Sequence, residues 1–440
     1  MKPQHFSTPE VSRRSLLRGG AFLGAGAALA GLPVGRMALA HDSHPTRWNT
    51  VSKMVDTYVE QGKVANMQAA MGWGQGSLEM ISKGTLAKGA SAEVDQHSLY
   101  RIYSMTKPVT GMAIMMLIDD GKLGLDQPLA EILPAFANMK VQRVADGPID
   151  DVVDAARPIT VRHLLTHTAG LGYGIIQKGP IKDAYEADGI SPGAVSRMPI
   201  LGVGRAKPAP SLEIFANNLA RLPLVYQPGT VWSYSVSLDL LGRVVEVATG
   251  TPFDSWLDEN IFKPAGMNST WFQVPTSETG RLTTNYAVFG GALLPIDPAG
   301  ASIFTDKPAF PFGGAGLVSS PHDYDRFLRL LLGYGVIDGK RVMGELAVRV
   351  GTSNLLPAAV DTTGTFADGA GFGAGGRVGL GEQAGTFGWG GAAGTVALVD
   401  MKRGLRAALF TQYMPSDAYA VHGDFPKAVA ADMMAMASGA

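Results

Sequence analysis

Cysteine is absent from the 440 residues. Its absence excludes disulfide scaffolds, thiol catalysis, iron–sulfur clusters and thiolate zinc sites, and leaves packing as the source of stability. An excess of either charge is lacking as well: 37 Lys and Arg stand against 38 Asp and Glu. A nucleic-acid or polyanion binder concentrates surplus Lys and Arg on one face, so that class is excluded. Charge is scarce overall, 17% against 46% hydrophobic residues, which excludes disorder and provides for a large core. The 56 glycines follow no three-residue period, so collagen-like and low-complexity readings fail.

What is present begins with an address. Ser12-Arg13-Arg14-Ser15-Leu16-Leu17-Arg18 is followed by an uncharged stretch, residues 19–34, and by the small residues of Ala38-Leu39-Ala40. A charged start, a short apolar run and a small-residue cleavage site make a secretory signal peptide, and the paired Arg are of the twin-arginine type. Residues 1–40 are therefore expected to engage the twin-arginine (Tat) export machinery and to be removed near His41. No later segment is apolar enough to span a bilayer, so the mature form is expected to be periplasmic or secreted and free of the membrane.

Four hundred residues exceed what one core usually fills, so two lobes are expected. Residues 67–73 and 78–83 read as strands joined at Gly74-Gln75-Gly76-Ser77, and residues 395–399 and 405–411 flank a second hairpin at residues 400–404. Between them the helical period dominates. Val109, Met112, Ala113, Met116 and Leu117 share one helical face ended by Gly121, and Leu238, Leu241, Val244, Val245 and Ala248 share another ended by Gly250. This pattern predicts an α+β fold in which a sheet lobe, residues 41–110 and 300–440, is assembled from both chain ends around an inserted, mostly helical lobe, residues 111–299. Residues 172–210 and 352–379 are expected to be loop-rich.

Three segments carry the chemistry. Ser104-Met105-Thr106-Lys107 opens the first helix, where a lysine three residues on shares the serine's face. First-turn N–H groups and the positive end of the helix dipole favour an alkoxide there, but a lone Ser-x-x-Lys is common by chance, and a capping Ser beside a solvated Lys has the same appearance. Gln227-Pro228-Gly229 leads to Tyr234 just ahead of the second helix. A positive charge close to a phenol favours the phenolate, so Tyr234 beside Lys107 has the makings of a general base. The third segment, Trp389-Gly390-Gly391-Ala392, leads into the last hairpin, where glycines let a ligand approach the backbone and an unpaired N–H faces an oxyanion. Alone it reads equally as a bulged strand.

Taken together and in this order, the segments resemble the serine hydrolases of the class C β-lactamase and penicillin-binding-protein superfamily. Leu99-Tyr100-Arg101-Ile102-Tyr103, the run from Ile159 through His163 and His167 to Leu171, and Gly314-Ala315-Gly316-Leu317-Val318-Ser319-Ser320 add to the likeness, which spans residues 50–425. The resemblance implies an antiparallel sheet flanked by helices, no cofactor, Ser104 as acylated nucleophile, Lys107 and Tyr234 as its proton partners, and the N–H groups of Ser104 and Ala392 as the oxyanion hole.

Two departures from the β-lactamase pattern set the expected substrate. The place two residues after the tyrosine, Asn in those enzymes, is Val236, and the strand motif opens with Trp389 in place of Lys. A site that loses its amide and carboxylate ligands loses discrimination for them. An apolar, ring-lined pocket formed by Trp389, Gly390, Gly391 and Val236 is expected, suited to uncharged esters or lactones, and Trp-Gly-Gly here is similar to the family VIII carboxylesterases. A β-lactamase, a D-alanyl peptidase or a non-catalytic binding protein of the same fold are the alternatives. No Gly-x-Ser-x-Gly elbow occurs, and His163 and His167 lack the metalloprotease Glu between them, so they are read as structural.

Overall fold

The computed structural model describes residues 47–198 and 207–438. The expected leader, residues 1–40, lies outside them. Helix Asn49–Glu60 (α1) precedes strands Asn66–Trp73 (β1) and Glu79–Gly84 (β2). Helices Thr106–Asp119 (α2), Val161–Leu165 (α3), Leu212–Ala220 (α4), Ser237–Thr249 (α5) and Pro321–Leu332 (α6) follow. Strands Gly371–Phe372 (β3), Arg377–Val378 (β4), Thr386–Gly390 (β5), Val396–Asp400 (β6) and Leu405–Phe410 (β7) come next, and helix Val421–Ser438 (α7) closes the chain.

The seven strands form one antiparallel sheet in the order β3-β4-β5-β6-β7-β1-β2. Strand β7 pairs with β1, placing Gln68 opposite Phe410 and Trp73 opposite Leu405, so the two chain ends meet in the middle of the sheet. Side chains alternate as a pleat requires. Ala69, Met71, Val396, Leu398, Ala407 and Leu409 turn to one face and pack with Val51 and Val55 of α1 and Phe425 and Val429 of α7. Ala70, Ala397, Val399, Ala408 and Phe410 turn to the other and join the core that holds α2 and α6. Both faces are covered, which is why these strands read as nearly continuous apolar runs. Each fully buried Val, Leu or Phe contributes about 1.5–3 kcal/mol, so the covered faces hold the chain ends together. Arg406 is wholly buried between Asp325, at 2.5 Å, and the carbonyls of Gly74 and Gly76 in the β1–β2 turn. Gly72 makes room for it, since a Cβ there would lie 2.3 Å from the guanidinium.

Helix α2 differs from its expected one-faced pattern. Ile114 and Met115 are as buried as Val109 and Met112, whereas Met116, expected on the core face, is partly exposed. A helix enclosed on most sides is apolar on most sides. It also runs unbroken through residue 110, where the lobe boundary was expected. The middle region is not purely helical, for hairpins Lys140–Gln142 with Val152–Asp154 and Asn285–Phe289 with Ala292–Asp297 lie within it. Among the described residues, no helix is long and apolar enough to cross a membrane.

Candidate active site

Ser104 sits in a single tight turn, Tyr103–Met105, directly ahead of α2, and is partly exposed between buried neighbours. Tyr103 adopts φ +41°, a left-handed conformation that costs a residue with a side chain about 1–3 kcal/mol. Its ring packs edge-on against Phe304 at 5.9 Å and its hydroxyl accepts from Asn285 Nδ2 at 3.2 Å, so tertiary contacts hold the kink before Ser104.

Lys107, one turn on, is wholly buried. Its Nζ donates to Ser104 Oγ at 3.2 Å and to the Gly314 carbonyl at 2.7 Å. It also lies 4.5 Å from the centre of the Tyr234 ring and 5.6 Å from that of Tyr173, within cation–π range of both. Tyr234 precedes α5, and its Oη donates to Ser104 Oγ at 2.8 Å. Hydroxyl, amine and phenol therefore meet at one oxygen, although Ser104 and Tyr234 are 130 residues apart.

The expected substrate-facing residues are largely buried. Trp389 is 2% exposed. It packs among Trp232, Tyr234 and Phe372, and its Nε1 donates to Tyr234 Oη at 3.1 Å. Val236 is fully buried at the start of α5, where its amide donates to the Gly172 carbonyl at 3.2 Å, so its side chain belongs to the core. Gly390 ends β5 and Gly391 follows it, both buried. A Cβ on Gly391 would lie 2.4 Å from the Ile102 carbonyl, so the close approach this glycine permits is that of the chain itself, two residues before Ser104. Ala392 follows, partly exposed.

Two further side chains, Asp239 and His422, escaped the sequence reading, and a third, His167, was read only as structural. Asp239 on α5 is fully buried and accepts the Gly314 N–H at 2.9 Å; burial raises its carboxyl to about 6 against the pull of Lys107 and that amide. His167, read with His163 as structural, lies beyond α3 at φ +56°. Its Nδ1 is 2.8 Å from Ser235 Oγ and its carbonyl accepts the Ser233 N–H at 3.0 Å, so it grips the chain on both sides of Tyr234. Burial, with Lys107 nearby, holds it well below the usual histidine range and hence neutral. His422 on α7 has Nε2 2.9 Å from the Thr395 carbonyl, which in turn accepts the Gly391 N–H at 2.7 Å, and so supports the turn that carries Ala392. A signal for Asp239 and His422 is missing from the sequence, since neither stands in a motif. His163 completes a capping box with Thr160, a structural role.

A partly exposed hydroxyl held by a buried amine and a phenol, on a sheet built from both chain ends, defines the β-lactamase and penicillin-binding-protein class of fold. The protein belongs to the Beta-lactamase family, whose model matches residues 51–431. It is 38% identical to the Mycobacterium tuberculosis protein Rv1367c over 261 residues, covering 59% of this chain and 60% of that protein, so the match spans well under two thirds of that relative. It is 30% identical to the esterase EstB of Burkholderia gladioli over 353 residues, 75% of this chain and 81% of the relative. In fold it is similar to EstCE1, described as a hydrolase with promiscuous acyltransferase activity, with a TM-score of 0.68, 24% identity, and coverage of 86% of this chain and 98% of the other.

Proposed function

We propose that the protein is a serine carboxylesterase that hydrolyses uncharged esters or lactones through an acyl-enzyme. The observation that carries this reading is the meeting of Lys107 Nζ and Tyr234 Oη at Ser104 Oγ, at 3.2 and 2.8 Å. A serine hydroxyl is a weak nucleophile until a base takes its proton. Acting as the phenolate, beneath Lys107 and with the Trp389 N–H on its oxygen, Tyr234 accepts that proton as Ser104 Oγ attacks the ester carbonyl. The negative charge that develops on the carbonyl oxygen is met by the N–H groups of Ser104 and Ala392. As the tetrahedral adduct collapses, the carbon–oxygen bond to the alcohol breaks and Tyr234 returns its proton to the leaving oxygen. Water then gives a proton to Tyr234 and attacks the acyl carbon; as this second adduct collapses, the bond to Ser104 Oγ breaks, Tyr234 returns the proton to that oxygen, and the acid leaves.

An ester is favoured over a β-lactam because the amide-binding Asn is replaced by Val236 and the carboxylate-binding Lys by Trp389, both buried. The esterase name of the Burkholderia gladioli relative supports the same choice. Comparing turnover of a p-nitrophenyl ester with that of a chromogenic cephalosporin tests it. Faster ester turnover is expected, and preferential cephalosporin turnover contradicts it. The alternative of a non-catalytic binding protein predicts that a fluorophosphonate leaves Ser104 unlabelled. Residues 1–40 support export through the twin-arginine route to the periplasm or beyond, and replacing Arg13 and Arg14 by Lys should retain the precursor inside the cell.

A further inference from the structure

One buried carboxylate has no part in this mechanism. Asp239 lies in the first turn of α5, five residues beyond Tyr234. Its Oδ1 accepts the Gly314 N–H at 2.9 Å, and the carbonyl of the same Gly314 accepts Lys107 Nζ at 2.7 Å. One residue thus carries an anion on its amide and a cation on its carbonyl, an arrangement in which each hydrogen bond polarises the other. Asp239 Oδ2 has no hydrogen-bond partner among the described residues, and an unpaired buried carboxylate oxygen is costly. Among the described residues Lys107 makes no direct ion pair, and the groups whose charge reaches Asp239 are Lys107 from α2 and Tyr173 from the segment after α3.

We propose that Asp239 is a positioning residue for acyl transfer, its negative charge acting through Gly314 to hold the Lys107 ammonium against Ser104 Oγ. The inference rests on the Ser104, Lys107 and Tyr234 reading. The relay is held in place from two sides. On one, a Cβ on Gly314 would lie 2.6 Å from Asp239 Oδ2, and one on Gly313 would lie 2.5 Å from the Leu238 carbonyl, so this segment meets α5 at backbone distance. On the other, Thr110 Oγ1 donates to the Gly313 carbonyl at 2.7 Å and Thr106 Oγ1 accepts the Leu317 N–H at 3.1 Å, so three side chains of one α2 face, with Lys107 between them, grip the same segment. Asp239 loses its charge as pH falls through about 6, and the hold on Lys107 weakens with it.

The test is the rate at which a fluorophosphonate labels Ser104 between pH 4.5 and 8.5, a range set about the value near 6. This rate reports the reactivity of the hydroxyl without a natural substrate. The wild-type rate should fall as pH drops through about 6. Asp239→Asn should label about tenfold more slowly at neutral pH and show no step there, because nothing remains to titrate. Gly314→Ala, which displaces the carboxylate but keeps its charge, should label slowly and retain the step. An Asp239→Asn profile with the wild-type step, or with the wild-type rate at neutral pH, overturns the proposal. If that variant does not fold, Asp239→Ser supplies the same neutral comparison. Absence of labelling in the wild type defeats the esterase reading itself, whereas labelling with an unmoved variant profile defeats only the role of Asp239.

Discussion

Trp389 donates its indole N–H to the Tyr234 oxygen at 3.1 Å from within a buried cluster of rings. The residue that replaces the family lysine therefore keeps a hydrogen-bond donor in the site but directs it at the phenol. Tyr234 must carry negative charge to take the Ser104 proton, and a donor on its oxygen favours that charged form. Trp389→Phe keeps the ring and deletes the donor. We expect kcat for a p-nitrophenyl ester to fall about tenfold or more while KM changes little, and an unchanged kcat would show that this bond has no catalytic effect.

The burial of Asp239 predicts a variant that gains stability as it loses activity. Its carboxyl is raised from 3.8 to about 6 on folding, so between these values the folded state binds more protons than the unfolded one. The cost of the buried charge is absent below about 3.8 and complete above about 6, where it amounts to roughly 3 kcal/mol. Asp239→Asn should therefore raise Tm at pH 8 and lose that advantage near pH 4. Calorimetry at the two pH values checks this, and an advantage equal at both contradicts it.

Buried histidines act in the opposite sense. His163 and His422 are lowered to about 4, each chiefly by burial, and burial likewise holds His167 well below the usual histidine range. They stay neutral in the fold while the unfolded chain takes up protons below 6.5, so stability is lost as pH falls from 6.5 towards 4. Three such groups outweigh the single Asp239. His422→Gln should flatten the fall of Tm with acid, by a share worth roughly 3 kcal/mol at pH 4, and a slope identical to the wild type would contradict the assignment.

Much of this site was legible in the sequence, and the reasons for what was not are physical. Ser104 and Lys107 are three apart where a tight turn enters a helix, and Tyr234 stands just before another; local spacing of that kind is visible in a string of letters. The two hairpins and the Gly250 stop, at φ +70°, were equally local. Asp239 looked like any acid in a first helical turn, because its partner Gly314 is 75 residues away. Trp389 and Val236 were expected to face a ligand, since type and position are readable but burial by Trp232, Phe372 and the segment around Gly172 is not.

That burial makes a prediction of its own. Val236→Asn restores the residue type of the β-lactamases, but at a position with no exposure it buries an amide without partners, at a cost of about 1–3 kcal/mol. Tm should fall by several degrees and cephalosporin turnover should not rise. A stable variant that gains cephalosporin turnover would place this side chain in the substrate site.

The central claim, that Ser104 carries the acyl group, is tested most directly by intact-protein mass spectrometry after rapid mixing with a p-nitrophenyl ester and acid quench. The account predicts one acyl adduct on the peptide containing Ser104, none in Ser104→Ala, and turnover in that variant reduced by about a thousandfold or more. An adduct on another residue, or turnover that survives the loss of the hydroxyl, would contradict it.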